Sequence, residues 1–278
     1  PRIDAAKANI NCGNRGAVNF DLVCELREGG HHSGNWGGLL SNPGVILAHA
    51  LSTVVSETGK IRIPEWLPER MSNATRALLA DISVEAGENA PEIDPNWGEP
   101  DLNAAQQVYG WNSFEVLAFK TGNPEHPVNA IPPRAHAHCQ IRFIQGSKRE
   151  EFLPALRRHL DAHGFDMVEI EPPPPGNAID FTATRTDPDH PWVRWAAASI
   201  ERTSGKPTAV LPQLGGSICN DLFSDLLGLP TIWVPHSYGA CSQHAPNEHI
   251  LLSEARDAIQ LMAGVYWDLG EPGTPGTK

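Results

Sequence analysis

The sequence predicts a mixed α/β protein in which a ferredoxin-like β-α-β-β-α-β unit is followed by part of an α/β domain. Three observations carry this prediction. Strand-like and helix-like segments follow the split βαβ order up to residue 171. The run PPPP then interrupts all regular structure, and the remaining segments alternate between helix and strand. We therefore expect domains at 8–185 and 186–270, with a disordered tail at 271–278.

The ferredoxin-like unit begins with a predicted strand, GAVNFDLVCELRE (16–28), in which apolar residues alternate with others and share one face. SNPGVILAHALSTVVSE (41–57) supplies a Ser/Asn cap and an early proline, which predict a helix of about three turns. Residues 60–112 are irregular and rich in Pro, Trp and acidic residues, with a short helix expected at SNATRALLADI (72–82).

Two more strands and a helix complete this unit. FEVLAFKTG (114–122) and RAHAHCQIRFI (134–144) are predicted strands, and the second alternates small or apolar residues with His136, His138, Gln140 and Arg142. KREEFLPALRRHLDAHG (148–164) is an amphipathic helix that ends in glycine, and FDMVEIE (165–171) is the last strand. We expect two helices on one face of an antiparallel sheet.

The segments beyond the prolines predict a small piece of a parallel α/β structure. Helices are expected at 190–205, 219–228 and 253–270, and strands at PTAVL (207–211) and LPTIWVP (229–235). The apolar character of TIWVP favours a strand that is buried on both faces.

Composition narrows the functional classes. The 278 residues carry a net charge of −12, which argues against a non-specific nucleic-acid binder. No apolar run is long enough to span a membrane. The five cysteines show no close pairing pattern, which favours a reduced, cytoplasmic interior. The opening PRIDAAKANI has neither Met nor a signal sequence, so we expect the chain to derive from the middle of a longer protein, with processing as the alternative explanation.

The loop CSQHAPNEH (241–249) is the first candidate site, because it follows the carboxyl end of a predicted strand. His244 and His249 are five residues apart across a Pro-Asn turn, so they cannot form a helical pair of ligands. His244 could bind a metal whose other ligands come from elsewhere. The alternative is a polar turn that caps the next helix.

Two glycine-containing loops are further candidates. In REGGHHSGNWGG (27–38), His32 could stabilise an oxyanion, or the segment could be an exposed turn. In LGGS (214–217), backbone N–H groups and Ser217 could bind a carboxylate, or they could cap the following helix.

The polar face of the strand at 134–144 offers Arg142 for a carboxylate and His136 and His138 for a metal. For all three, a solvated strand face is the alternative. Cys241 and Ser217 could each act as a nucleophile, although neither has a local base pattern or a G-x-S-x-G elbow.

Four of these pieces occur together and in order: HSGNWGG (32–38), NAIPPRAHAHCQIRF (129–143), LPQLGGSICNDLF (211–223) and CSQHAPNEH (241–249). Together they resemble the zinc-dependent peptidase and deacylase family of carnosine dipeptidase, carboxypeptidase G, aminoacylase, acetylornithine deacetylase and succinyl-diaminopimelate desuccinylase. The resemblance implies a ferredoxin-like lid at 8–185, inserted into an α/β catalytic domain to which 186–270 belong. It also implies a homodimer formed through the lid.

The resemblance assigns roles to individual residues. His244 matches a ligand of a site for two zinc ions, which could also accommodate cobalt or manganese. His32 matches a lid histidine that stabilises the oxyanion in the partner subunit. Asn129 matches a lid position that contacts substrate across the dimer.

The substrate's carboxylate is implied to lie between the strand and the glycine loop. Arg142 matches the arginine that binds this carboxylate in the family, and Gly216 and Ser217 match the loop that completes the pocket.

The family's remaining metal ligands are missing from this sequence. They include an H-x-D motif and a Glu-Glu pair that supplies the catalytic base, whereas Glu150 and Glu151 lie in a predicted lid helix. We therefore expect a C-terminal portion of a dinuclear zinc hydrolase that cleaves dipeptides or N-acyl amino acids, inactive in isolation. The alternatives are a non-catalytic dimerisation and substrate-capping module, and a thiol or serine hydrolase that uses Cys241 or Ser217.

Overall fold

The computed structural model describes residues 2–3, 8–71, 73–80, 82–84 and 91–276 of the chain. The strands are β1 (Asn9–Asn11), β2 (Gly13–Asn14), β3 (Gly16–Glu25), β4 (His31–His32), β5 (Ser113–Thr121), β6 (Ala130–Ile131), β7 (Arg134–Phe143), β8 (Val168–Glu171), β9 (Asp180–Phe181), β10 (Thr184–Arg185) and β11 (Ala209–Leu211). The helices are α1 (Ser33–Trp36), α2 (Pro43–Val54), α3 (Asn73–Ala80), α4 (Ala104–Gly110), α5 (Phe152–Ala162), α6 (Pro191–Ser204) and α7 (Leu252–Asp268).

The ferredoxin-like unit forms as predicted. Its main sheet has the order β5-β7-β3-β8, all pairs are antiparallel, and β9 adds a short pairing to β3. With α2 between β3 and β5 and α5 between β7 and β8, the chain order is β-α-β-β-α-β. The predicted mixed α/β fold class is therefore confirmed.

Both helices of this unit cover the same face of the sheet. Phe20 and Leu22 of β3 and Ile141 of β7 are fully buried in one core with the inner faces of α2 and α5. Each large apolar side chain buried in this way contributes about 2–3 kcal/mol relative to an exposed position. Helix α2 begins where the sequence predicts, because the Asn42 side chain accepts hydrogen bonds from the Gly44 and Val45 N–H groups.

The long insert between α2 and β5 is anchored by Trp66. Its indole is fully buried, packs against Phe20 and Phe114, and donates a hydrogen bond to the Phe152 carbonyl over 2.9 Å. The insert also contains α3 and α4. The predicted helix at 72–82 corresponds to α3, although residues 72 and 81 lie outside the described residues.

The segment beyond the prolines contains less sheet than predicted. Strand β11 pairs in parallel with β1, and α6 and α7 pack around Ile10, Val193 and Leu261. The prediction of a strand at LPTIWVP (229–235) was wrong, because only Trp233 forms a bridge, to Asn11. A strand needs a partner along its length, and the short β1 offers this segment one residue. The predicted helix at 219–228 is reduced to Leu222–Leu226.

The end of the chain follows α7 as a turn. Thr274 is buried, and its hydroxyl donates to the Glu271 carbonyl over 2.9 Å. Residues 277–278 lie outside the described residues. The domain boundaries proposed from the sequence remain a prediction. None of the helices within the described ranges has both the length and the apolar character needed to cross a bilayer.

Gly13 in β2 allows a close approach to β10, which follows the proline run in sequence. Residues Gly13 and Asn14 pair with Arg185 and Thr184, and the Asn220 amide donates to the Thr184 hydroxyl over 2.7 Å. A Cβ atom at residue 13 would overlap the Thr184 carbonyl. This junction therefore tolerates only glycine.

We expect Gly13→Ala to lower the free energy of unfolding by about 1–3 kcal/mol, because the added carbon forces two backbone segments apart. Gly30→Ala is the control, since its new Cβ would meet its nearest neighbours at 3.4 Å, an ordinary contact. Urea unfolding followed by far-UV circular dichroism measures the free energy of unfolding of both variants. Equal unfolding midpoints for the two variants would show that the close approach at Gly13 is unimportant.

Candidate functional site

A cavity of ≈ 680 Å³ lies where β7 meets the loops of the second segment. Its lining comes from six separate parts of the sequence: Asn11, Val108, Tyr109, Arg142, Ile179, Phe181, residues 214–218, Gln243 and His244. The cavity therefore brings together Arg142, Gly216, Ser217 and His244, four residues that the sequence analysis selected independently. The size suits a small molecule.

Arg142 projects from the face of β7 opposite the helices. Its Nε donates to the Gln140 Oε1 over 2.9 Å, and its Nη1 donates to the Ser217 Oγ over 3.3 Å. Burial lowers the pKa of Arg142, and the nearby Glu115 carboxylate opposes that shift. Within the described part of the chain, this guanidinium forms no ion pair with a carboxylate. Its charge is thus available to an anionic ligand.

The loop at 214–217 follows β11 and is held against β2. The Leu214 N–H donates to the Gly13 carbonyl over 2.9 Å, and the Arg15 N–H donates to the Leu214 carbonyl over 3.2 Å. This pairing presents Gly215, Gly216 and Ser217 to the cavity. The loop does not begin a regular helix, because the next helical residue is Asp221, four residues after Ser217. The helix-cap interpretation of LGGS is therefore wrong.

His244 lines the cavity from the opposite loop. Its backbone has φ = 62°, in the left-handed region that side-chain-bearing residues rarely adopt, and its N–H donates to the Glu248 Oε2 over 3.3 Å. Such strain is concentrated at functional sites. Neighbouring Ser242 and Asn247 share this conformation.

His244 alone cannot form a metal site. Across the ranges that the structure describes, no group of three or more His, Cys, Asp or Glu side chains is arranged to hold a metal ion. The assignment of His244 as a metal ligand stays a prediction.

His32 and Asn129 lie together at a separate two-stranded sheet formed by β4 and β6. Strand β4 pairs with β6, and both the N–H and the hydroxyl of Ser33 donate to the Asn129 carbonyl, over 2.8 and 3.1 Å. The His32 Nδ1 accepts from the Gly34 N–H over 3.2 Å. The side chains of His32 and Asn129 are exposed, and neither lines the cavity. Their predicted roles in catalysis and substrate binding remain predictions.

The two nucleophile candidates have no base. Cys241 is buried with Tyr238 and Ala240, and the Ser217 hydroxyl accepts from Arg142. Among the described residues, no hydrogen bond joins either side chain to a His, Asp or Glu. A nucleophile of this kind requires such a partner, so the geometry does not support a thiol or serine hydrolase.

The sequence analysis missed two contributions to the site. Ile179 and Phe181 lie in the segment that follows the proline run. Its composition is typical of a linker, yet these two side chains form apolar walls of the cavity. Tyr109 lies at the end of α4, and burial raises the pKa of its phenol. The aromatic residue in the crossing was the available signal, since linkers rarely carry an isolated phenylalanine.

Comparison with known proteins identifies the first unit. The family model of the peptidase dimerisation domain matches residues 12–168. The Cys-Gly metallodipeptidase DUG1 of Saccharomyces cerevisiae is 24% identical over 286 residues, covering 92% of this chain and 54% of the relative. The Beta-Ala-His dipeptidase of Homo sapiens is 20% identical over 284 residues, covering 97% of this chain and 54% of the relative.

A solved structure supports the same fold. The M20 family metallo-carboxypeptidase Sso-CP2 from Sulfolobus solfataricus superposes with a TM-score of 0.75 at 20% identity, covering 93% of this chain and 59% of that one. The chain thus spans little more than half the length of these three relatives. The resemblance found in the sequence is confirmed, and this chain belongs to the M20 peptidase dimerisation domain family.

Proposed function

We propose that this chain is the lid and the C-terminal catalytic segment of a metal-dependent hydrolase that cleaves amide bonds of dipeptides or N-acyl amino acids. The supporting observation is the cavity, which gathers an unpaired arginine, a glycine-serine loop and a strained histidine. The names of the relatives, a metallodipeptidase and a Beta-Ala-His dipeptidase, agree with this substrate class.

In this proposal Arg142 binds the carboxylate at the end of the substrate. A guanidinium pairs well with carboxylates, and Arg142 is held by neutral acceptors that do not cancel its charge. Ser217 and the backbone of Gly215 and Gly216 lie on the same wall of the cavity. They would surround the second side of the carboxylate.

His244 is proposed as one ligand of a site for two zinc ions, or for cobalt or manganese. When bound, such metals polarise the scissile carbonyl and supply an activated water. Because no group of three or more His, Cys, Asp or Glu side chains among the described residues is arranged to hold a metal, the proposal takes the other ligands and the general base from polypeptide outside this chain. His32 and Asn129 would act in the active site of a partner subunit.

An exposed apolar surface supports the view that the catalytic segment packs against further polypeptide. Around the short helix at 222–226, Leu222, Phe223, Leu226, Leu227 and Leu229 are 44–76% exposed. Exposed apolar patches of this kind mark interaction sites. The two-stranded parallel pair β1–β11 is also unusually small, since parallel strands normally lie inside larger sheets. In isolation, the chain would be a non-catalytic dimerisation and substrate-capping module.

The homodimer would form through the lid. Strand β5 lies at the edge of the main sheet and exposes Val116, Leu117 and Phe119, and α2 exposes Val45. An apolar edge strand favours pairing with another strand. A cytoplasmic location is also part of this proposal, and the five unpaired cysteines agree with it.

Arg142→Gln is expected to abolish the preference for a free carboxylate. We expect the chain to bind the dipeptide Ala-Gly more tightly than Ala-Gly amide. The variant lacks the charged hydrogen bond, so the difference in binding free energy between the two peptides should fall by about 1.5–3 kcal/mol. NMR titration of the chain and of the variant with both peptides measures this difference in affinity. Arg149→Gln, at an exposed arginine paired with Asp180 outside the cavity, is the control. An unchanged preference in Arg142→Gln would refute carboxylate binding.

Purified alone, the chain is expected to hold no tightly bound zinc pair and to hydrolyse no dipeptide, because no group of three or more His, Cys, Asp or Glu side chains among the described residues is arranged to hold a metal ion. Atomic emission analysis and a dipeptide panel with and without chelator test this. A longer protein that contains this chain together with H-x-D and Glu-Glu motifs should be active and chelator-sensitive. Two tightly bound zinc ions in the isolated chain would contradict the proposed division of ligands.

Leu117→Lys is expected to convert a dimer into a monomer, because it places a charge on the apolar edge of β5. Light scattering after size exclusion measures the mass. Ile259→Lys on α7 is the matched control, since both side chains are exposed, 53% and 72%. A dimer that survives Leu117→Lys and dissociates with Ile259→Lys would move the interface to the catalytic segment.

A further inference from the structure

A row of polar side chains crosses the face of the ferredoxin-like sheet opposite α2 and α5 and ends at Arg142. The antiparallel register places Asp21 opposite His138 and Asn19 opposite Gln140, on the face away from α2 and α5. Asp21, Asn19 and Gln140 are only 4%, 8% and 5% exposed. Buried polar groups of this kind must be hydrogen-bonded to be tolerated.

The row is continuous. The Arg142 Nε donates to the Gln140 Oε1 over 2.9 Å, and the Gln140 Nε2 donates to the Asn19 Oδ1 over 2.7 Å. The Asn19 Nδ2 lies 3.2 Å from the His138 Nε2, and the His138 Nδ1 lies 2.5 Å from the Asp21 Oδ1. Four hydrogen bonds thus link the candidate substrate residue to a carboxylate in the middle of the sheet.

The two ends of the row fix the direction of every bond. A guanidinium can only donate, so Gln140 must turn its oxygen towards Arg142. The Gln140 nitrogen then faces Asn19, whose own nitrogen must donate to the His138 Nε2. The His138 proton is therefore on Nδ1, from which it is donated to the Asp21 carboxylate, a group that can only accept. No amide in the row can flip without placing two donors or two acceptors together.

Two other side chains near the row, His136 and Arg15, do not orient the Arg142 guanidinium. His136 also approaches Asp21, with 2.9 Å between its Nε2 and the Asp21 Oδ2, but it has no contact with Asn19 or Gln140. The Arg15 side chain donates to the Arg142 carbonyl over 3.2 Å and so touches its backbone. Among the residues that the structure describes, Gln140 is the hydrogen-bond acceptor of the Arg142 Nε–H.

We propose that Asn19 and Gln140 are positioning residues that orient the Arg142 guanidinium and leave its charge free for a substrate carboxylate. The inference rests on the proposed function, because it assumes that Arg142 binds this carboxylate. Asp21 and His138 fix the far end of the row. The specificity for carboxylate-terminated substrates then depends on residues that never touch the substrate.

Two variants test the orientation and the charge separately. Asn19→Leu removes the acceptor for Gln140, and we expect hydrogen exchange at the Arg142 Nε–H to accelerate about tenfold and the preference for Ala-Gly over Ala-Gly amide to fall about tenfold. Gln140→Glu keeps an acceptor for the Arg142 Nε–H but adds a negative charge. We expect that proton to stay protected while the preference for Ala-Gly falls about tenfold.

NMR of the ¹⁵N-labelled full chain provides both readouts. His136→Gln is the matched control, because it contacts Asp21 from the same strand face yet lies outside the row, and it should change neither quantity. If Asn19→Leu does not fold, Gln140→Glu decides the question, and an unchanged preference for Ala-Gly in that variant refutes the inference.

The inference and the proposed function can fail separately. An unchanged Nε–H exchange rate and preference in Asn19→Leu, together with a lost preference in Arg142→Gln, would refute the positioning role and leave the proposed function intact. If Arg142→Gln keeps the preference for Ala-Gly, the proposed function fails. The Nε–H exchange rates still show whether the row orients Arg142.

Discussion

The antiparallel pairing of β3 with β7 is the constraint on which both the core and the candidate site depend. Ten consecutive residue pairs fix the register from Gly16 opposite Phe143 to Glu25 opposite Arg134. Because side chains alternate across a strand, this register places Phe20 and Cys139 in the core and Asn19 and Gln140 on the other face. A slip of one residue would exchange the two faces and remove Arg142 from the cavity.

The cavity depends on this sheet because its other walls are loops. The segment at 214–217 is held by backbone bonds to Gly13 and Arg15, which immediately precede β3. The crossing that supplies Ile179 and Phe181 is fixed by the pairing of β9 with β3. The strand pair therefore positions loop segments around a common space, as expected where binding residues lie on loops of a stable scaffold.

Much of this arrangement could be predicted from the sequence, and the exceptions have physical causes. The alternation in 134–144 correctly placed Gln140 and Arg142 on one face, and the helix signals at Asn42 and Pro43 placed the start of α2. The strand predicted at 229–235 did not form, because apolar composition predicts burial and says nothing about available pairing partners. The row from Asp21 to Gln140 could not be found without the register between two distant strands. The cavity likewise joins residues more than two hundred positions apart.

The polar row is difficult to explain by stability alone. A carboxylate in place of Gln140 would pair directly with the guanidinium, whereas two buried amides must each point the right way to avoid unsatisfied donors. Such a carboxylate would also occupy the charge of Arg142, and an anionic ligand would then compete with it. Neutral acceptors orient the guanidinium without neutralising it, which is the property that a binding site needs and that a purely structural ion pair lacks. The chemistry of residues 19 and 140 therefore supports a binding role for Arg142 independently of the cavity that it lines.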